Sequence, residues 1–407
     1  MAILNTWKLP LNLPNPYPFY LQFLTPEQNG RLYYTKYIVD VIGELSVHAD
    51  AHNVREWVIP QGLHAFVPGG GGCPLGITYG PKKTVWSALE SGHRLIQLEP
   101  GSGTLTSYGA TQGPIGSSQY NNYPISLPTD VMFDRYENAW YIGYGVVGSL
   151  PGCYPQSKGA LIGRLNADRK SADIWELREM PTLLSCPNGL WVRDNGEEIW
   201  VTLYSDQPVT NVPFLARLQP SLNKITVWIN PYPAVSFTGA VGIVGDSPTD
   251  PENIWFTFYD DYQKIGTYRL ELETGTFYHY VKDLKTSNPK RIALADNGDA
   301  WISDWAGKIS TATKKIYCNK AVFPSKTITI KPRNMGVQKR QARVKPVVHT
   351  VVPVHQGIYP VKSKCITDFP MPYGTNPPNG IAVNDTPNNP TVYFSQGSGS
   401  IIGQLIP

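Results

Sequence analysis

Apolar residues in this chain come in short stretches, and polar and apolar positions alternate within them, as in Ile199-Trp200-Val201-Thr202 and Ile254-Trp255-Phe256-Thr257. Alternation with a period of two predicts half-buried strands. The stretches are separated by turn clusters such as Asp296-Asn297-Gly298-Asp299, a hairpin signal. Long helical runs rich in Ala, Glu, Lys and Leu are missing, so the pattern predicts an all-β chain.

The strands recur as a unit with three marks. The first is P-x-G-I, clearest at Pro74, Pro187 and Pro378. The second is an aromatic residue followed within two positions by Thr or Ser in six of seven units: Tyr34-Thr35, Trp86-Ser87, Trp200-Val201-Thr202, Trp255-Phe256-Thr257, Trp301-Ile302-Ser303 and Tyr393-Phe394-Ser395, with Trp140-Tyr141 in the remaining one. The third is I-G-x-L, as at Ile42, Ile162 and Ile402. Counted from Tyr34, the second marks are 52, 54, 60, 55, 46 and 92 residues apart. Self-similarity at such a period marks a repeat architecture.

Each unit reads as a four-stranded antiparallel meander whose two apolar faces must be covered by neighbours. Large rings suit that packing, and glycines suit strands that approach closely around a channel. Seven units closing radially predict a seven-bladed β-propeller. The chance alternative is a β-sandwich. The last unit ends at Leu405-Ile406-Pro407 without a fourth strand, and residues 3–10 resemble the fourth strands elsewhere, so the N-terminal strand is expected to close the last blade.

Composition agrees. The 407 residues include 37 Gly, 37 Pro, 24 Tyr and 11 Trp, with 16% charged. At 41% hydrophobic the chain is not disordered. No apolar run reaches the roughly 18 residues a membrane helix needs. The N-terminus lacks a basic start and an apolar core, so no secretory signal is read, although the composition favours a surface or extracellular protein. Five cysteines are too few for a disulfide scaffold, and none are at CxxC spacing.

The marks P-x-G-I, W-F-T and I-G-x-L resemble those of the streptogramin B lyase family of seven-bladed propellers, best at Asn253-Ile254-Trp255-Phe256-Thr257 with Lys264-Ile265-Gly266. The resemblance covers nearly the whole chain. It implies an enzyme that opens a macrocyclic lactone by elimination, with a His and a Glu on the funnel face and a bound magnesium ion. The residues after the second mark are here Lys36, Ala88, Gly143, Leu203, Phe258, Asp304 and Gln396. Only Asp304 keeps an acid there. No Glu-x-His occurs, and no P-x-G-I segment carries a His. Elimination needs a positioned base and acid, and magnesium needs oxygen ligands. No catalytic, cofactor or metal residue is carried over, and Asp304 stays a weak funnel candidate.

The long sixth gap holds the main departure. From Trp305 to Thr367 there is no Asp or Glu and there are thirteen bases, which leaves the rest of the chain at −9 against a net +4. The insertion, 315–364, is expected to interrupt one 1–407 propeller domain after the third strand of blade six. Its bases Lys326, Lys331, Arg333, Lys339, Arg340, Arg343 and Lys345, and its apolar Val347, Val348, Val351 and Val352, make an interaction arm. Segments such as Thr327-Ile328-Thr329-Ile330 are β-prone, and prolines at 332, 346, 353 and 360 confine them to edges. The arm can dock on its own propeller, or on a neighbouring subunit by strand addition, giving rings or filaments. Nucleic acid is disfavoured because few aromatics interleave the charge.

Other candidates are weaker. His48, Asp50 and His52 read as a hairpin tip, His349 and His355 as edge-strand positions, and Gly69–Gly72 as a loop without a phosphate-loop ending. Cys318 and Cys365 flank the insertion and could form a disulfide at its base. Cys73 and Cys186 precede equivalent marks and are not expected to meet. The function read from the chain is a non-catalytic scaffold or interaction protein, self-assembling or surface-associated through its basic insertion, with itself or an acidic protein surface as the expected partner. The alternative is a diverged magnesium-dependent lyase or another enzyme using the funnel.

Overall fold

The computed structural model describes residues 2–9, 21–25, 30–37, 39–47, 52–63, 73–109, 125–144, 160–177, 186–205, 212–230, 238–249, 251–260, 266–280, 288–314, 319–321, 323–351, 353–359, 366–371, 378–386, 389–396 and 401–407. The described chain is strands, turns and single 3-10 turns. The calls on His48, Asp50, Gly69–Gly72, Cys318, Cys365 and Val352 lie outside the described residues.

Seven four-stranded antiparallel units stand around one axis. Their innermost strands are Leu21–Leu24, Pro74–Gly80, Pro128–Phe133, Cys186–Val192, Thr238–Gly245, Pro289–Leu294 and Pro378–Thr386. Each touches the next, and the seventh touches the first, so the ring closes as a β-propeller. Blade 7 is completed by the N-terminal strand Ala2–Lys8, which pairs with Ile401–Ile406. Blade 6 takes its third strand from Lys308–Ala312 and its fourth from Ile366–Pro370, on either side of the insertion.

Two kinds of glycine mark the repeat for two different reasons. A Cβ on the first-mark Gly242 would lie 2.9 Å from the Cα of Arg291 in the next blade, so close approach of inner strands needs glycine there. The third-mark glycines instead face rings within their own sheet. A Cβ on Gly43, Gly163 or Gly403 would overlap the ring of its cross-strand partner Tyr34, Tyr141 or Phe394. The sequence reading gave both glycines the first reason. The second-mark tryptophans fill the spaces between blades. Trp86, Trp140, Trp200 and Trp255 are at most 1% exposed, and Arg164, Arg217 and Arg269 of the third strands lie 5.4–5.9 Å from Trp140, Trp200 and Trp255 in turn.

The insertion is a belt. Leaving blade 6, the chain adds a fifth strand to blade 5 (Asn319–Ala321), blade 4 (Ser325–Thr329), blade 3 (Arg333–Gly336), blade 2 (Gln338–Arg343), blade 1 (Val347–Val351) and blade 7 (Pro353–Tyr359), then returns to blade 6. Every added strand is antiparallel to a fourth strand, and the route runs against the order in which the blades were laid down. Sheet twist makes this possible. Each strand turns roughly 20–25° against its neighbour, so the fifth lies at roughly a right angle to the innermost and runs along the circumference. One extended chain can then pass from blade to blade through connectors as short as Val337.

The belt alternates. Phe323 and Ile330 are buried, and Met335, Val337, Ala342 and Val344 pack against the inter-blade cores. Phe323 meets Phe214, Phe277 and Tyr268 with ring centroids 4.8, 5.1 and 5.9 Å apart. The charged positions face outward.

Candidate functional site

The P-x-G-I mark is a bulge. The inner-strand ladder shifts register at Pro74/Ile77, Pro187/Gly189, Ala240/Ile243 and Pro378/Ile381. A bulge leaves an N–H out of the ladder. The hydroxyl that ends the second mark accepts it: Gly189 N, Gly242 N and Gly380 N donate to Thr202, Thr257 and Ser395, each at 2.8 Å. The same hydroxyls reach the next blade. Thr202 donates to the Val241 carbonyl and Thr257 to the Lys290 carbonyl, both at 2.8 Å, and Ser303 donates to that of Asn379 at 3.1 Å.

Two units replace the first-mark glycine with a charged residue, blade 3 with Asp130 and blade 6 with Arg291. Both side chains enter the channel and line, with Ile77, Leu190, Ile243 and Ile381, a cavity of about 230 Å³. Asp130 accepts from Val131 N at 2.9 Å and from Leu190 N at 3.2 Å. Arg291 donates to the carbonyls of Asn188 at 3.2 Å and Val241 at 3.4 Å. Burial pushes Asp130 up to about 6, opposed by Arg291, and pushes Arg291 down to about 10, opposed by Asp130.

The ends of the second strands and the starts of the inner strands share one face, the funnel. There Lys290, next to Arg291, has its Nζ 4.1 Å from the Trp305 ring and 5.5 Å from the Tyr259 ring. Burial first, and Arg291 second, push its ammonium down to about 8. Trp305 Nε1 donates to Asn379 Oδ1 at 2.5 Å. Across the funnel Tyr37 donates to Glu90 at 2.6 Å, and burial raises both the Glu90 carboxyl and the Cys73 thiol. His93 is buried, accepts from Leu127 N at its Nδ1 (3.3 Å), and is pushed down to about 4 by burial. It is neutral at pH 7.

Asp304, the funnel candidate, is 1% exposed. Its Oδ1 accepts from Asn288 N at 2.7 Å and Ala306 N at 2.8 Å, and Lys308 Nζ lies 3.7 Å from Oδ2. It is a turn-holding carboxylate of the funnel wall. Lys36, after the second mark of blade 1, pairs with Glu56 at 2.5 Å. The two cations that blade 6 places here do not suit magnesium, which takes oxygen ligands. Among the described residues no group of three or more His, Cys, Asp or Glu could hold a metal.

The arm residues spread around the rim. Arg333 pairs with Glu176 at 2.8 Å. Arg340 and Arg343 donate to the carbonyls of Gly62 and Ser102, each at 3.1 Å. Lys326, Lys331, Lys339 and Lys345 are exposed. Val347 and Val348 are 48% and 60% exposed, and Val351 lies in the strand on blade 1. Cys73 is a free thiol and Cys186 is disulfide-bonded, so those two do not pair. No helix among the described residues is long and apolar enough to cross a membrane.

Sequence reasoning missed Asp130, Lys290 and Arg291. The signal was present: aligned on their prolines, Pro128-Thr129-Asp130-Val131 and Pro289-Lys290-Arg291-Ile292 carry charge where the marks at Pro74, Pro187 and Pro378 carry glycine. It also missed the apolar pegs of the belt, hidden by the search for its charge.

No family model and no curated protein sequence matches this chain. Solved structures do. Virginiamycin B lyase from Staphylococcus aureus aligns over 100% of both chains at 17% identity and a TM-score of 0.60. A catalytically inactive variant of that lyase, solved with quinupristin, aligns over 99% of both at 16% and 0.60. A streptogramin B lyase aligns over 100% of this chain and 98% of its own, at 16% and 0.55. At these identities the likeness is one of fold: a streptogramin B lyase-like β-propeller.

Proposed function

We propose that this protein is a non-catalytic interaction propeller that presents a basic rim to an acidic protein surface, either a partner's or the acidic faces of further copies. The observation that supports this reading is the belt. It turns Phe323, Ile330, Met335, Val337, Ala342 and Val344 inward and leaves Lys326, Lys331, Lys339, Arg343 and Lys345 exposed, on a chain that is otherwise −9. Because the belt's strands are paired with this chain's own blades, association works through charge complementarity, without strand exchange. Lysines on the outermost strands also oppose edge-to-edge pairing. Light scattering across salt concentrations tests the reading. Assemblies, or complexes with acidic proteins, that disperse with salt and fail when these five residues are changed to Glu support it. A monomer that binds no acidic protein at low salt overturns it.

A second reading places an enzyme in the funnel, as a diverged streptogramin-type C–O lyase or another activity. It rests on Lys290, whose amine is displaced to about 8 beside two aromatic rings. Ring opening of a cyclic depsipeptide, abolished in Lys290→Met, would favour it. Turnover unchanged in that variant would remove Lys290 from it.

A further inference from the structure

A cavity of about 880 Å³ lies away from the funnel, between blades 1 and 2 on the opposite face. Its walls include Tyr79, Arg31, Lys82, Lys83, Gln97 and Glu99. Four features distinguish it.

First, its turn is doubly left-handed. Where the inner strand turns into the second strand, blades 4 and 6 use one left-handed glycine, Gly196 at φ 67° and Gly298 at φ 83°, and blade 3 one left-handed Glu137 at φ 64°. Blade 2 has Pro81-Lys82-Lys83-Thr84, with both lysines left-handed, at φ 58° and 59°. A non-glycine residue there costs of order 1 kcal/mol or more. Two adjacent lysines in that conformation, both exposed at a cavity, are local strain of the kind that gathers at binding sites.

Second, the charge is one-sided. Lys82 and Lys83, with Arg31, whose Nη1 also lies 3.7 Å from Glu44, oppose the single lining acid Glu99, whose Oε2 is held by Ser102 at 3.0 Å. The belt adds Arg343, which donates to the carbonyl of the same Ser102 at 3.1 Å. Third, the polar wall offers donors. Tyr108 donates to Gln97 Oε1 at 2.8 Å, which leaves the Gln97 amide N–H groups as donors. Fourth, the aromatic wall is rigid. Tyr79 meets Tyr33 edge to face, with centroids 5.7 Å apart, and Tyr79 Oη donates to the Arg31 carbonyl at 2.9 Å.

We propose that this cleft is a binding site for a small ligand carrying two or more closely spaced negative charges, phosphates or carboxylates, gripped by Lys82 and Lys83. Lysines are point-charge binders of such groups, and the cavity matches the size of small-molecule sites, about 300–1,000 Å³. The site lies away from the funnel, and the lysines that grip the ligand, Lys82 and Lys83, are not residues of the rim.

The test is calorimetric titration of the full chain with pyrophosphate and, separately, with citrate. At least one is expected to bind, and the tighter one assigns phosphate or carboxylate. K82Q/K83Q is expected to weaken that probe at least tenfold, and Glu99→Gln to tighten it. Lys83→Gly is expected to weaken binding while raising Tm by roughly 1–3 °C, because the strain goes with the lysine. That opposite movement separates a ligand site from a structural turn. No binding of either probe up to 10-millimolar order overturns the proposal, as does binding that K82Q/K83Q leaves unchanged.

Discussion

Asp130 and Arg291 occupy the same position of the repeat in blades 3 and 6, and both reach the inner strand of blade 4. Asp130 takes the Leu190 N–H at 3.2 Å, and Arg291 gives a hydrogen to the Asn188 carbonyl at 3.2 Å. The pair fills the channel where five other blades show no charge. A Cβ on Gly76 would lie 2.2 Å from Asp130 Oδ1, so the blade-2 glycine makes room for the carboxylate.

Breaking this pair is expected to cost more than removing it. Arg291→Met removes the cation whose field opposes the burial of Asp130, together with two hydrogen bonds to backbone carbonyls, and about 1–3 kcal/mol of stability should be lost. D130G/R291G puts the first-mark glycine at both positions and should recover most of that. Chemical denaturation of the single and double variants measures the difference. Additive losses would mean that the two groups are not coupled.

The channel acid and the buried histidine should pull the pH–stability curve in opposite directions. Asp130 is raised to about 6, so the stability it contributes is present below its unfolded value near 4 and is lost as pH rises through about 6. His93 is lowered to about 4, so its contribution is present above about 6.5 and lost as pH falls through about 4. The His93 shift corresponds to a loss on the order of 3 kcal/mol in acid. Melting temperatures from pH 3 to 8 should show less acid loss in His93→Gln and less decline between pH 4 and 6 in Asp130→Asn.

The belt should detach from the peg outward. Phe323→Ala removes three ring contacts, and a buried Phe→Ala change costs about 3–5 kcal/mol. Hydrogen exchange should quicken in Ser325–Thr329, which pairs with blade 4, before it does in the inner strands. Uniform quickening throughout would mean that belt and blades open as one unit.

Lys290 should be the most readily acylated lysine below pH 9. Its labelling, followed by mass spectrometry, should titrate near pH 8, and surface lysines above 10. Trp305→Ala exposes the amine and should move its midpoint upward.

The propeller was legible because each unit repeats its own strand and turn chemistry. The alternation, the Trp and Tyr columns and the Thr or Ser that ends the second mark all report local geometry. Even the borrowed N-terminal strand could be read, because Trp7 and Leu9 repeat a fourth-strand pattern. The arm's charge and β character were equally plain, and so was its interruption of blade 6.

What the sequence by itself determined was therefore the repeating unit, its number and the composition of the insertion, all set by neighbours a few residues apart. Only the tertiary structure decided where the arm lies. Docking on its own blades and docking on another copy use the same strand edges and the same alternation, and no local preference separates them. The choice follows from accumulated twist, which turns each blade's outer edge along the circumference and lines six edges up for one extended chain. The placement of Asp130 and Arg291 on one cavity is of the same kind. Residues 161 apart in sequence come to line one cavity when a ring of seven inner strands closes around a channel.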